Sequence, residues 1–81
     1  MEYEIEFSKN AKRDLDRLDK AISLRILKIL REIKTNPYQY TKRLIGSELF
    51  SLRIGDHRVL MVMAHNKIFV VKIGHRKDVY E

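Results

Sequence analysis

No cysteine occurs among the 81 residues, which excludes disulfides, thiolate metal sites and a cysteine nucleophile. Tryptophan is absent too, and only one proline and three glycines interrupt the chain, so each of these breakers is informative by position. No apolar run approaches the roughly 18 to 20 residues of a membrane span. Glu2, Glu4 and Glu6 stand where a secretory signal would be basic. These features predict a cytoplasmic protein that makes no membrane contact. His57, His65 and His75 lack the paired spacing of a zinc motif, so neither a metal nor another cofactor is expected.

A chain of this length forms one domain, residues 1–81, and buries only about 60% of its unfolded surface. That suffices for one layer of helices on one sheet. The formal net charge is +6 and the pI is near 9.8, which favours a polyanionic partner such as nucleic acid. The basic excess lies downstream: residues 1–36 hold nine Lys/Arg against seven Asp/Glu, and residues 37–81 hold eight against four.

Glu2-Tyr3-Glu4-Ile5-Glu6-Phe7 alternates strictly and predicts a half-buried first strand. Ser8 can cap a helix whose apolar positions are Ala11, Leu15 and Leu18. Asp19 can cap a second, longer helix carrying Ile22, Ile26, Ile29, Leu30 and Ile33, which Asn36-Pro37 terminates because the residue before proline avoids helical geometry. Residues 37 to 48 show no clear period and read as a connection crossing the sheet edge. Leu49 to Ile54 and His57 to Ala64 flank Gly55-Asp56, a dipeptide favoured in two-residue hairpin turns; His65-Asn66 then leads to a strand from Lys67 to Ile73. The class is α+β: a small antiparallel sheet with an N-terminal strand, a two-helix hairpin on one face and a three-stranded C-terminal meander.

The two-residue turn sets a register that pairs Ile54 with His57, Arg53 with Arg58, Leu52 with Val59 and Ser51 with Leu60. Phe50, Leu52, Ile54, Val59, Met61 and Met63 then share the face toward the helices. Ser51, Arg53, Arg58, Leu60 and Val62 share the other. Two arginines directly opposed destabilise a strand pair unless an anion sits between them, so Arg53 and Arg58 read as a phosphate clamp. A second two-residue turn at His65-Asn66 would bring Ile73 near Arg58, and Arg76 beside the clamp. His75 has the side chain best suited to acid or base work near neutral pH, and Tyr80 can swing back over the site from the terminus. Leu60, Val62, Phe69 and Val71 are expected to stay partly uncovered, a surface that calls for a protein partner.

Leu52-Arg53-Ile54-Gly55-Asp56-His57-Arg58-Val59-Leu60 and Gly74-His75-Arg76-Lys77-Asp78-Val79-Tyr80, set on this order of elements, resemble the RelE toxins of the RelE/ParE superfamily. The resemblance spans nearly the whole chain. It implies a toxin of a type II toxin–antitoxin system, neutralised by a cognate RelB-like antitoxin in a hetero-oligomer. It also implies a ribosome-dependent endoribonuclease that cleaves mRNA in the A site without a metal, the ribose 2′-hydroxyl attacking its own phosphate. The family's catalytic positions fall on Arg53, Arg58, Arg76 and Tyr80, with His75 as a candidate acid. A further basic position of several relatives falls on Ser51, and Lys42 or Arg43 can substitute for it; together with Lys77 these form the expected RNA-contacting set. Two alternatives remain open: a ParE-like inhibitor of DNA gyrase, and a non-catalytic RNA-binding or inactive homologue.

Overall fold

The computed structural model describes residues 2–75 and 77. In chain order these form β1 (Glu4–Phe7), α1 (Lys9–Arg17), α2 (Lys20–Ile33), α3 (Pro37–Tyr40), β2 (Lys42–Arg43), β3 (Phe50–Ile54), β4 (His57–Ala64) and β5 (Lys67–His75). The strands make one sheet in the order β1-β5-β4-β3-β2. The fold is α+β, as the sequence pattern implies. No helix among the described residues is long and apolar enough to cross a membrane.

Ser8 starts α1 by two hydrogen bonds: its Oγ accepts from the Ala11 N–H at 3.0 Å and donates to the Val71 carbonyl at 3.0 Å. One side chain thus caps the helix and ties it to β5. Asp19 occupies the N-cap of α2 without a side-chain bond. The two helices are instead linked by Ser23 Oγ, which donates to the Leu15 carbonyl at 2.7 Å. Ile26, Leu30 and Ile33 of α2 meet Leu52, Ile54, Val59, Met61, Ile68, Val70 and Ile73 of the sheet, all buried. Burying one such side chain contributes about 1.5–3 kcal/mol, and this layer drives the fold.

The β3–β4 register matches the expected one at every position, including Arg53 opposite Arg58. Gly55 takes φ +60° and Asp56 does not take a positive φ, the arrangement of a type II′ turn, which needs glycine at its first central position. At the β4–β5 turn His65 and Asn66 both have positive φ, 52° and 61°. This is the type I′ pattern.

Three features differ from the sequence expectation. β1 runs parallel to β5, so the sheet is mixed rather than wholly antiparallel. The two strands are distant in sequence and no hairpin turn sets their relative direction; the chain enters α1 directly from β1, and Ser8 binds β5 from there. Residues 37–48 contain a short helix, α3, which Pro37 opens, and an edge strand, β2. The third difference is a bulge: Leu60 pairs with Lys72 while Met61 pairs with Val70, leaving Val71 as the extra residue. Gly74 therefore stands opposite Arg58, and Ile73, expected there, pairs with Val59 and enters the core. Without the extra residue, alternation would turn Ile73 out and Lys72 in.

Candidate nucleic-acid interface

Residues paired in register lie on the same face of a sheet, so the pairings give the face away from α1 and α2 row by row. One row is Arg53, Arg58 and Gly74, and the next is Lys42, Ser51, Leu60 and Lys72. Val62 and Phe69 form an apolar pair further along. Glu4 and Glu6 lie beyond, on β1, with Glu6 Oε2 held 2.9 Å from Lys67 Nζ. The face is thus basic at the hairpin tip, apolar in the middle and acidic at the β1 edge. The two acids stand two strands from Arg58.

Arg53 is exposed, and its Nε donates to the Gly55 carbonyl at 3.3 Å. Arg58 is half-buried and less screened by water. Lys42, Arg43, Leu44, Ile45, Ser51 and Arg58 line a cleft of about 380 Å³ on this side. Lys42 is in register with Ser51 and shares its face, whereas Arg43 pairs with Phe50 and gives its Nε to the Ser47 carbonyl at 3.0 Å. Of the two substitutes for a basic group at Ser51, Lys42 is the one on the Ser51 row.

His75 is not brought to the arginines. It pairs with His57, which pairs with the core residue Ile54, so both imidazoles belong to the helix side of the sheet. Their rings meet edge to face at 5.9 Å. His75 Nδ1 accepts from the Lys77 N–H at 3.3 Å, and Asp14, Arg17 and Leu18 of the helix side, with Lys72, Ile73 and Gly74 of β5, line a cleft of about 340 Å³ around the pair. The reason is parity: His75 is one residue past Gly74, which occupies the Arg58 row. Lys77 is exposed. Arg76 and Tyr80 lie outside the described residues.

Lys72 was not legible as part of this face. The bulge puts it there, and the available signal was the lapse of alternation in Val70-Val71-Lys72-Ile73. Leu60, expected to be partly uncovered, is 6% exposed. It sits in the interior of the sheet between Ser51 and Lys72. Val62 and Val71 are half-buried and Phe69 is exposed.

Residues 5–80 match the family model described as ParE toxin of type II toxin-antitoxin system, parDE. No curated protein sequence matches the chain significantly. Among solved structures, the RelBE2 toxin-antitoxin complex of Mycobacterium tuberculosis is similar at a TM-score of 0.84 and 25% identity, covering 94% of this chain and 100% of that one. The archaeal RelE-RelB complex of Pyrococcus horikoshii is similar at a TM-score of 0.80 and 24% identity, covering 98% and 100%. The YoeB dimer of Staphylococcus aureus follows the same fold at a TM-score of 0.75 and 21% identity, covering 94% and 99%.

Proposed function

The chain belongs to the ParE toxin family of type II toxin–antitoxin systems, and we propose that within this class it cleaves messenger RNA on the ribosome and is held inactive by a cognate RelB-like antitoxin. The observation that carries the reading is the Arg53–Arg58 pair, two like charges in one register on the face away from the core. Folding alone disfavours that pairing, and a bound phosphate turns its repulsion into attraction.

Cleavage begins when the ribose 2′-oxygen attacks the adjacent phosphorus. A P–O2′ bond forms and the P–O5′ bond breaks, leaving a 2′,3′-cyclic phosphate and a 5′-hydroxyl. The 2′-hydroxyl gives up its proton to water and the departing 5′-oxygen takes one from water. Negative charge builds on the two non-bridging oxygens, where Arg53 and Arg58 donate hydrogen bonds that strengthen toward the transition state. The strand residues of these two rows are Arg, Lys, Ser, Leu and Gly. No His, Asp or Glu stands in these two rows, so the rate gain on this face comes from charge and alignment. Arg76 would add a third cation and Tyr80 would stack on a base, both by resemblance. His75 faces the helix side and takes no part in this proton path.

A second reading, inhibition of DNA gyrase, is favoured by the description of the matching family, which names ParE. The test is single-turnover cleavage of a message on programmed ribosomes, read by primer extension, beside a gyrase supercoiling assay. Wild type is expected to cut, Arg58→Ala to cut about a hundredfold more slowly, and supercoiling to be unaffected. An intact message together with inhibited supercoiling would replace the first reading with the second.

A further inference from the structure

Beyond Val70, β5 pairs with β4 alone, because β1 runs no further along it. Contacts on the helix side hold the strand end instead. Asp14 Oδ2 accepts the Ile73 N–H at 2.9 Å, and the His75 ring meets the His57 ring edge to face at 5.9 Å. His75 Nδ1 also accepts the Lys77 N–H at 3.3 Å, so the imidazole ties the strand end to the backbone two residues on. These grips stand on either side of Gly74, which lies in register with Arg58.

Gly74 has no side chain, so the β5 main chain itself stands beside Arg58 and sets the room left there for an oxyanion. Paired strands lie only about 4.7–4.9 Å apart. A shift of the strand end by about 1 Å therefore changes the approach to the phosphate, and a misplacement of that size can slow a reaction by about a hundredfold. His75 and His57 reach this point through the backbone, from the opposite face of the sheet.

We infer that Asp14, His57 and His75 form a brace behind the reaction face, and that the two histidines are positioning residues for cleavage, acting through the main chain at Gly74 and touching no substrate. The inference rests on the RNA-cleavage reading and adds to it a proton-sensitive control of the strand end. An imidazole ordinarily takes up a proton between about pH 5 and 8. A proton on His75 Nδ1 removes the acceptor of the Lys77 N–H, and a proton on each ring sets two cations 5.9 Å apart. The surrounding charges do not offset that repulsion. Arg17 of α1 and Lys72 of β5 line the same cleft, Lys77 follows the strand, and Arg25 Nη1 of α2 comes near Gly55 in the turn before His57. Against them stand Asp14, whose Oδ2 already serves the Ile73 amide, and Asp56 in the turn. Acid therefore loosens the brace.

Two readouts test this: pH–rate profiles of single-turnover cleavage on ribosomes, and a proton–nitrogen NMR titration of the free toxin. The reference is His57→Phe/His75→Asn, which keeps a ring on β4 and an uncharged acceptor for the Lys77 N–H, and places no imidazole at either position. Wild type is expected to match this variant at about pH 7.5 and to fall about tenfold behind it at about pH 5.5. His75→Ala should cut about tenfold more slowly throughout while binding ribosomes as tightly as wild type, since it removes no cation from the open face. In the NMR titration the Gly74 and Lys77 amide signals of wild type should move together with the His75 ring signal. Circular dichroism melts monitor the fold; if the double variant does not fold, His57→Phe alone carries the comparison, with a smaller acid loss than wild type. If wild type cuts with the same profile as the reference and the Gly74 amide ignores pH, the brace is wrong while the cleavage reading stands. If wild type never cuts but the Gly74 amide follows the His75 ring, the cleavage reading falls and the coupling of His75 to Gly74 stands. Ribosome binding that weakens in step with the rate in His75→Ala would make His75 a contact residue and overturn the inference.

Discussion

Asp14 Oδ2 accepts the backbone N–H of Ile73 at 2.9 Å, a contact that spans 59 residues of sequence. β1 pairs with β5 only as far as Val70, so beyond that point the outer edge of β5 has lost its strand partner. α1 supplies the substitute: Ser8 takes the Val71 carbonyl and Asp14 takes the Ile73 amide, one on either side of Lys72. The helix thereby holds the bulge that delivers Lys72 and Gly74 to the open face.

Asp14→Ala is expected to destabilise the protein by about 1–3 kcal/mol, the cost of leaving a buried amide unsatisfied. Asp14→Asn, which keeps an oxygen acceptor, should cost less. Urea denaturation measures both. Faster hydrogen exchange at the Ile73 amide than at Ile68 would locate the loss, and unchanged exchange at Ile73 would refute the assignment.

Leu24 and Leu30 lie on the same helix with opposite environments, 55% and 1% exposed. Leu30→Ala should cost about 2–5 kcal/mol, a large share of the roughly 4–12 kcal/mol available to a domain of this size. Leu24→Glu should leave the melting temperature nearly unchanged. Leu24 borders an apolar cleft of about 340 Å³ with Ile5, Phe7, Leu27 and Leu30. Calorimetric titration is therefore expected to show about tenfold weaker antitoxin binding for Leu24→Glu, given that apolar anchors carry most interface energy.

Two pKa shifts point to the alkaline limb of stability. The Tyr3 phenol is raised above its ordinary value, first by burial and then by Tyr38 beside it. The Lys67 ammonium is raised chiefly by its hydrogen bond to Glu6 and by that carboxylate's charge. In both cases the folded state holds its proton more tightly than the unfolded chain. Their contributions are therefore fully present below the unfolded-state values, about 10 for Tyr and 10.4 for Lys, and fade as pH rises through the elevated folded-state values. Denaturation midpoints should be flat from neutral pH upward and then fall on the alkaline side. Tyr3→Phe and Glu6→Gln together should flatten that fall, and an identical alkaline decline in the double variant would disprove the attribution.

In single-turnover cleavage on ribosomes, Arg76→Ala is expected to slow the reaction about a hundredfold, the scale of one lost transition-state donor. Tyr80→Phe should be milder than Tyr80→Ala, because stacking needs the ring and not the hydroxyl. Equal, severe losses in the two tyrosine variants would assign the phenol to proton transfer. Ribosome binding should change less than rate in each case, since many basic groups share it.

Local rules made much of this molecule legible. Gly55-Asp56 specified a two-residue turn, the turn specified the register, and the register put Arg53 opposite Arg58. Ser8 marked a helix start and Pro37 a helix end for equally local reasons, a hydroxyl that caps and a ring that keeps the residue before it out of helical geometry. Short-range turn and capping chemistry acts over a few residues, so it can be read without knowing the rest of the chain.

Other features required contacts between distant segments. The direction of β1 depended on docking beside β5, more than sixty residues away, with no connecting turn to dictate it. The bulge at Val71 followed from the demand that Ile68, Val70 and Ile73 all face the core, and that demand carried Lys72 to the open face. The helix-side position of His75 followed from the same shift combined with strand parity. The sequence by itself thus determined α1, α2, the hairpin turn and the opposed arginines, because each depends on near neighbours. Only the tertiary structure decided which cations share a face, because burying the apolar side chains of β5 against the helices sets the strand's register and overrides simple alternation.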